Sequence, residues 1–199
     1  IVGALLAIFS QFSGINAIMY YGPEVFKASG VAQDAAYVQT VTVGAINLIF
    51  TFVAIGFVDK AGRRPLLLIG TAIQTIAHLF IGFFFFKSIN GLPLLGGVLL
   101  FVAAFAMAMG PVSWIVNSEI FPTKLRGRAM AVSIFLLWFS DWVVTQTFPM
   151  LQESIGPAKT FWVYGFFSLA SFIFILLFVP ETKRKTLEEI EAFWRKSKI

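Results

Sequence analysis

Long apolar stretches separated by short charged gaps run along almost the whole chain. Six of these stretches are long enough to cross a bilayer, because about 20 helical residues at a rise of 1.5 Å span about 30 Å of hydrocarbon. The pattern predicts six transmembrane helices, at Ile1 to Val25, Tyr37 to Val58, Pro65 to Phe86, Leu92 to Val116, Ala129 to Leu151 and Thr160 to Val179. We therefore predict an all-α membrane protein whose six-helix bundle occupies residues 1–180.

The pattern changes after Pro180, where charged residues replace the apolar run. Thr186 followed by Glu189 is typical of a capping box at a helix start. The apolar positions that follow recur at helical spacing and form one face, namely Leu187, Ile190, Phe193 and Trp194. Residues 181–199 are thus predicted to form a cytoplasmic amphipathic tail helix.

Composition supports a bilayer as the natural solvent. Hydrophobic residues make up 58% of the chain and charged residues only 13%, against about 25% charged in an ordinary soluble domain. A chain of 199 residues cannot bury most of its 24 phenylalanines. Membrane lipid is therefore the expected partner of the outer surface.

The basic residues lie mainly in alternate gaps between the predicted spans. Twelve of the 15 Lys and Arg residues fall in one set of gaps and in the tail, and Lys27, Lys87 and Lys159 fall in the other set. Positive charge marks cytoplasmic loops, so both termini are predicted to be cytoplasmic, in a plasma membrane such as the bacterial inner membrane. This topology accounts for the net charge of +5, and a nucleic-acid partner is not expected.

Glycine and proline interrupt the first span at Ser13-Gly14 and Gly22-Pro23, and the fourth span at Gly110-Pro111. Spans one and four each lead a group of three, which is typical of a 3+3 inverted-repeat half of a transporter. Because the sequence starts inside an apolar span, a missing N-terminal six-helix half is expected. Paired breaks point to a site at the bilayer midplane, although close helix packing is the alternative.

Polar residues concentrate in the first span, where Gln11, Asn16 and Tyr20 accompany the break. Amides both donate and accept hydrogen bonds, as sugar hydroxyls do, so a neutral polyhydroxylated ligand fits the cluster. The alternative is that each amide joins one helix to another. Asn47 in the second span faces the same choice between the cavity and packing.

Two later spans add aromatic and acidic candidates. Trp114 follows the Gly110 break and is either a platform for a pyranose ring or an interfacial anchor. Trp138 and Asp141 lie in the fifth span. Asp141 is a candidate protonation site, or else a solvated carboxylate without a coupling role.

No catalytic constellation accompanies these residues. The chain has no cysteine, a single histidine and no Gly-rich phosphate loop. His78 lies among apolar residues, where a packed neutral ring is the expected state. An enzyme, a metal site and a cofactor are therefore not predicted.

Acidic and basic residues meet at the ends of several spans. Glu119, Arg126, Arg63 and Arg64 could form a network that latches the helix ends and breaks when the halves rock. The alternative is an ordinary positive-inside charge run.

Five motifs together resemble one family. They are Gln11-Phe-Ser-Gly-Ile-Asn16 with Tyr20-Tyr21, Asp59-Lys-Ala-Gly-Arg-Arg64, Gly110-Pro-Val-Ser-Trp114, Glu119-Ile-Phe-Pro with Arg126-Gly, and Pro180-Glu-Thr-Lys183. Their order and spacing are similar to the C-terminal half of the sugar porter family of the major facilitator superfamily, in particular its bacterial proton-linked xylose and glucose transporters. The resemblance covers essentially the whole chain.

The resemblance implies transport of a hexose or pentose by alternating access, with proton symport expected. It implies that Gln11, Asn16, Tyr20 and Trp114 contact the sugar, that Gly110 and Pro111 shape a gating helix, and that the helix-end network is the cytoplasmic latch. We expect the sugar site to be completed by Gly110, Asn47 and Trp138. The chain departs from the family pattern at Ser10, Leu137 and Asp141, where relatives commonly carry amides. A membrane-embedded sugar sensor that binds without transporting is the alternative function.

Overall fold

The structure is a computed structural model, which describes residues 1–28, 33–123, 125–185 and 189. Within these ranges the chain is helical and contains no strand. The helices are α1 (Val2–Phe12), α2 (Ile15–Ala28), α3 (Gln33–Ala61), α4 (Arg63–Phe86), α5 (Leu92–Met107), α6 (Pro111–Ile120), α7 (Arg126–Ile155) and α8 (Pro157–Phe178). The predicted tail helix falls mostly on residues 186–188 and 190–199, outside the described residues.

The prediction of six spans is confirmed. Helices α1 and α2 together make the first apolar span and α5 and α6 make the fourth, while the other four helices are one span each. The observed helices are longer than the hydropathy pattern indicates: α7 runs from Arg126 to Ile155, beyond the predicted Ala129 to Leu151. Backbone hydrogen bonding does not end where hydrocarbon ends, so the charged ends of the span stay helical.

The first span breaks at Gly14, as the sequence indicates. α1 ends at Phe12, and the next helix begins at Ile15 after Gly14 adopts a φ of +82°. A positive φ after the last helical turn is the conformation that glycine adopts without steric cost. The break therefore changes the direction of the span between two of its polar residues.

The second predicted interruption of this span, at Gly22-Pro23, does not end the helix. The departure from helical geometry lies instead at Tyr21, with φ of −109° and ψ of 20°. The ring of Pro23 conflicts with the preceding turn and supplies no N–H, so the strain appears before the proline and kinks α2.

The fourth span breaks between Met107 and Pro111. The N–H of Gly110 donates to the carbonyl of Phe105 at 2.9 Å, a wider turn than the helical one. Pro111 starts α6 at the first helical position, where its missing N–H costs no hydrogen bond. The predicted break at Gly110-Pro111 is confirmed.

The two breaks divide the apolar core into two layers. The α2–α5 layer includes Ile18, Phe26, Phe101 and Phe161, and the α1–α6 layer includes Leu6, Leu67, Met109, Val116 and Ile175. α4 packs along both α8 and α5, and α1 packs along α7. The break at Gly14 lies where the two layers meet, because α1 belongs to one layer and α2 to the other.

The outer surface is largely apolar. Large side chains that remain exposed cover much of α3 and α7, for example Phe52, Ile55, Phe135 and Trp142. Such a surface is stable against lipid and not against water. The chain is accordingly a multi-pass membrane protein.

Candidate binding site and helix-end network

The break in the first span brings three polar side chains together, which we call the binding trio: Gln11, Asn16 and Asp141. The Nδ2 amide of Asn16 donates to Oε1 of Gln11 at 2.8 Å and to Oδ1 of Asp141 at 2.6 Å. Gln11 lies in the last turn of α1 and Asn16 in the first turn of α2, so their contact spans the Gly14 break. Asp141 reaches the pair from the middle of α7.

The trio is mostly enclosed by protein. Gln11 and Asp141 are buried, and Asn16 is partly buried. Both Nδ2 protons of Asn16 can be used in these two bonds, which leaves its carbonyl oxygen and the Nε2 amide of Gln11 without a partner in the trio. The arrangement therefore offers a donor, the Nε2 amide of Gln11, beside an acceptor, the carbonyl oxygen of Asn16. Its one ionisable group, Asp141, already accepts a hydrogen bond from Asn16.

The neighbouring hydroxyls of the first span are satisfied locally. The Oγ of Ser10 donates to the carbonyl of Ala7, and the Oγ of Ser13 donates to the carbonyl of Ser10, each at 2.7 Å. Ser10 is also buried. The serine that departs from the family pattern thus turns its hydroxyl into its own helix rather than toward the trio.

The three aromatic candidates are more exposed than the trio. Tyr20 is 53% exposed on α2, Trp114 is 42% exposed on α6 and Trp138 is 57% exposed on α7. None of the three donates a hydrogen bond to the trio within the described part of the chain.

Asn47 and Gly110 also lie outside the trio. Asn47 is partly buried on α3, and its backbone carbonyl accepts the hydroxyl of Thr51 at 2.7 Å. Gly110 lies in the break between α5 and α6, next to Pro111. Both remain candidates by position rather than by contact.

A charged network joins the helix ends on the side of the bundle where α3 and α6 end and α4 begins. Nη2 of Arg63 pairs with Oε1 of Glu119 at 3.0 Å, and Nη1 of Arg63 pairs with Asp59 at 2.9 Å. The second carboxylate oxygen of Glu119 accepts the hydroxyl of Thr182 at 2.5 Å. One carboxylate thereby ties the start of α4 and the segment after α8 to the end of α6.

Glu181 caps helix α4 from a distant part of the chain. Its Oε1 and Oε2 accept the backbone N–H groups of Arg63 and Arg64, each at 3.1 Å. These N–H groups have no partner inside the helix, and a carboxylate at a helix N-terminus also interacts favourably with the helix dipole. Gly62, with φ of +95°, leaves the space that the carboxylate occupies.

The sequence-based network differs from the observed one in two places. Arg126 does not pair with Glu119: its Nε and Nη2 atoms are buried without a protein partner in the described ranges. Arg64 reaches the carbonyl of Leu176 at 2.7 Å instead of an acid. Glu181 and Thr182, which take their places, were absent from the predicted network because only the tertiary fold brings residues after α8 to the start of α4.

Comparison with known proteins places this geometry in context. A family model described as sugar (and other) transporter matches residues 1–194. The arabinose-proton symporter of Bacillus subtilis is 44% identical over 197 residues, which cover 98% of this chain and 42% of that protein. The D-xylose-proton symporter of Escherichia coli is 44% identical over 200 residues, covering 98% of this chain and 41% of that protein.

Solved structures agree with the fold. A structure of the proton:xylose symporter XylE bound to 6-bromo-6-deoxy-D-glucose matches with a TM-score of 0.88 at 45% identity, covering 97% of this chain and 42% of that one. An inward-open structure of the xylose transporter from E. coli also gives 0.88, at 43% identity. The chain spans less than half the length of the relatives it matches.

Proposed function

Because the chain belongs to the sugar (and other) transporter family of the major facilitator superfamily, we propose that it is the C-terminal six-helix half of a monosaccharide carrier. The whole carrier moves a hexose or pentose across the plasma membrane, in bacteria the inner membrane, by alternating access. An N-terminal six-helix half completes it, and both termini of the present half lie on the cytoplasmic side.

The observation that carries this proposal is the binding trio. Asn16 and Gln11 present amide groups at a helix break, where neither amide is used to satisfy the backbone. A sugar hydroxyl can accept from one amide and donate to the next, so the amides of Gln11 and Asn16 fit a polyol better than an ion. Tyr20, Asn47, Trp114 and Trp138 complete the site, with an indole stacking on the apolar face of the sugar ring.

Asp141 links this site to proton coupling. Its carboxylate accepts from Asn16, so a change in its protonation alters the partner of the amide that meets the sugar. The relatives named above include proton symporters. We infer that the carrier is a proton symporter and that Asp141 adjusts how sugar binding depends on pH.

The helix-end network acts as the cytoplasmic latch of the carrier. Glu119, Arg63 and Glu181 hold the ends of α6 and α4 and the segment after α8 together. Rocking of one half against the other opens and closes the cytoplasmic side around a fixed midplane site. Closed latch contacts favour the outward-facing state, and Arg126 and Arg64 supply further positive charge at this end.

Flux measurements test the transport function. We expect the complete carrier in proteoliposomes to show saturable counterflow of a labelled pentose or hexose, with unlabelled sugars competing in a defined order. Competition repeated at two pH values reports both substrate and coupling. Binding of sugar without counterflow would favour the sensor and contradict the transporter.

Removing either a trio amide or the exposed indole of α6 is expected to weaken sugar binding. Gln11→Ala and Trp114→Ala should each raise the Kd at least about tenfold, since one good hydrogen bond or stack contributes about 1.4 kcal/mol. Isothermal titration or tryptophan fluorescence of the purified carrier measures the change.

Two matched variants control for general damage. Gln146→Ala removes an exposed amide elsewhere on α7, and Trp162→Ala removes an indole that donates to the backbone of Leu79. Both should retain the native Kd. Native affinity in Gln11→Ala and Trp114→Ala would remove these residues from the site.

Neutralising Asp141 should flatten the pH profile of uptake. Asp141→Asn keeps the size of the side chain and an oxygen that can accept from Asn16, but it cannot titrate. We expect sugar uptake by this variant to vary less between acidic and neutral pH than uptake by the native carrier. An unchanged profile, measured at a saturating sugar concentration, would exclude Asp141 from coupling.

A further inference from the structure

The interface between α4 and α8 carries a row of buried polar residues that neither the binding trio nor the helix-end network uses. Every member is at most 3% exposed. On α4 the row consists of Thr71, Gln74 and His78, and on α8 it consists of Tyr164, Ser168 and Ser171. We call these six residues the polar seam.

The two helices run antiparallel with a fixed register. A Cβ placed on Gly165 would lie 3.2 Å from the Cβ of His78, and Arg64 donates to the carbonyl of Leu176 at 2.7 Å. Residue numbers therefore fall along α4 as they rise along α8. The close approach at Gly165 also limits the space beside the seam.

This register aligns the polar residues of the two helices. Ser168 lies level with Gln74, and Ser171 lies level with Thr71. Both pairs are near the middle of their helices, which run over Arg63–Phe86 and Pro157–Phe178. The polar seam is therefore at the depth of the bilayer midplane, inside the bundle.

Most of the seam has unused hydrogen-bonding capacity. Thr71 is satisfied, because its hydroxyl donates to the carbonyl of Leu67 at 2.8 Å within α4. The other members carry buried polar atoms without a protein partner in the described residues: Oε1 and Nε2 of Gln74, Nε2 of His78, the hydroxyl of Tyr164 and the hydroxyls of Ser168 and Ser171. The two serines do not bond back to their own helix as Thr71 does, so they remain available to a ligand in the interface.

The hydrogen bonding of the histidine ring indicates which kind of ligand the seam can bind. Nδ1 of His78 lies 2.9 Å from the carbonyl oxygen of Gln74. A carbonyl oxygen can only accept, so Nδ1 donates, and Nε2 of the neutral ring carries a lone pair. The seam therefore combines a strong acceptor, Nε2, with hydroxyls and an amide that both donate and accept.

We propose that the polar seam is a second polar site, separate from the sugar site, and that it binds ordered water through Gln74, His78, Tyr164, Ser168 and Ser171. Water is the ligand that donates and accepts in equal number, and a buried water requires two to four polar partners. The six residues of the seam include no carboxylate or thiolate for a cation.

The position of this site links it to both helix breaks. A Cβ on Gly14 would lie 2.9 Å from the ring of Tyr164, and a Cβ on Gly70 of α4 would collide with that of Ala108. Tyr164 thus supports the break in the first span, and α4 supports the break in the fourth. Bound water would allow the α4–α8 interface to change its hydrogen bonds without leaving the polar atoms of the seam unpaired in the apolar core.

Solid-state NMR of the complete carrier in bilayers tests the site. The carrier is labelled with ¹⁵N-histidine, and the signal of His78 is assigned as the one that disappears in the His78→Phe variant. We expect the tautomer protonated on Nδ1 and strong magnetisation transfer from water to this ring. Gln74→Leu and Ser168→Ala each remove water ligands, so transfer should be lost or strongly reduced in both.

Thr71→Val is the matched control, because it removes a hydroxyl of the same face that is already bonded within α4. It should leave transfer to His78 unchanged, and all variants should keep native sugar affinity. Absence of magnetisation transfer from water to the His78 ring of the native carrier would overturn the proposal. Transfer that persists in both Gln74→Leu and Ser168→Ala would overturn it as well.

Discussion

Replacing Gly62 by alanine is expected to remove transport and to lower the stability of the carrier by about 3 kcal/mol or more. Gly62 has a φ of +95° and a ψ of 157°, a region essentially restricted to glycine, where another residue costs about 1–3 kcal/mol. The new Cβ would also lie 2.7 Å from Oε2 of Glu181. The carboxylate must shift away from the new Cβ, which weakens its cap on the N-terminus of α4.

Weakening of the cap lowers the stability further, through the hydrogen bonds that Glu181 accepts. Glu181 accepts two backbone N–H groups at 3.1 Å, and a hydrogen bond to a charged group contributes about 1.5–3 kcal/mol. Gly62→Ala therefore combines backbone strain with the weakening of a charge-assisted cap. Thermal unfolding of the purified carrier and sugar counterflow measure the two consequences separately.

A double-mutant cycle separates strain from displacement of the cap. In a Glu181→Ala background the new Cβ meets no carboxylate, so Gly62→Ala should cost only its backbone strain, and the two substitutions should couple. Gly56→Ala on α3 is the control, because nothing lies within 4 Å of its Cβ position. Equal unfolding temperatures for Gly62→Ala and Gly56→Ala would contradict the role of this glycine.

The hydrophobic pattern predicts the spans because each one must satisfy its backbone internally within lipid. The glycine and proline positions predict both breaks, since Gly14 and the Gly110-Pro111 pair impose local constraints that any bundle must accommodate. The predicted break at Gly22-Pro23 is less exact, because the helix departs from helical geometry at Tyr21 instead. Local stereochemistry therefore predicts the existence of a kink more reliably than its position along the helix.

The contacts of the site were predictable only in part. Gln11 and Asn16 are five residues apart, so a break between them suffices to suggest that their amides meet. Asp141 is 125 residues from Asn16, and its place depends on how α7 packs against the first span. Glu181 is 118 residues from Arg63, and no local pattern links a residue after the last span to the start of α4.

Replacing Gly14 by alanine is expected to weaken sugar binding at least about tenfold, equivalent to about 1.4 kcal/mol. Gly14 has a φ of +82°, which costs an L-residue about 1–2 kcal/mol, and its new Cβ would lie 2.9 Å from Cγ of Tyr164. That ring cannot retreat easily, because it is buried against Phe148 and His78. The strain is instead relieved at the break, where it separates Gln11 from Asn16.

The affinity loss from Gly14→Ala therefore has a geometric origin that controls can isolate. Gly44→Ala, on α3 with nothing within 4 Å of its Cβ position, should bind sugar with native affinity. Tyr164→Ala in the Gly14→Ala background removes the ring and should restore part of the affinity, leaving only the cost of the positive φ. If titration gives Gly14→Ala and Gly44→Ala the same Kd, the break does not position the trio, and Gln11 and Asn16 meet the sugar independently of it.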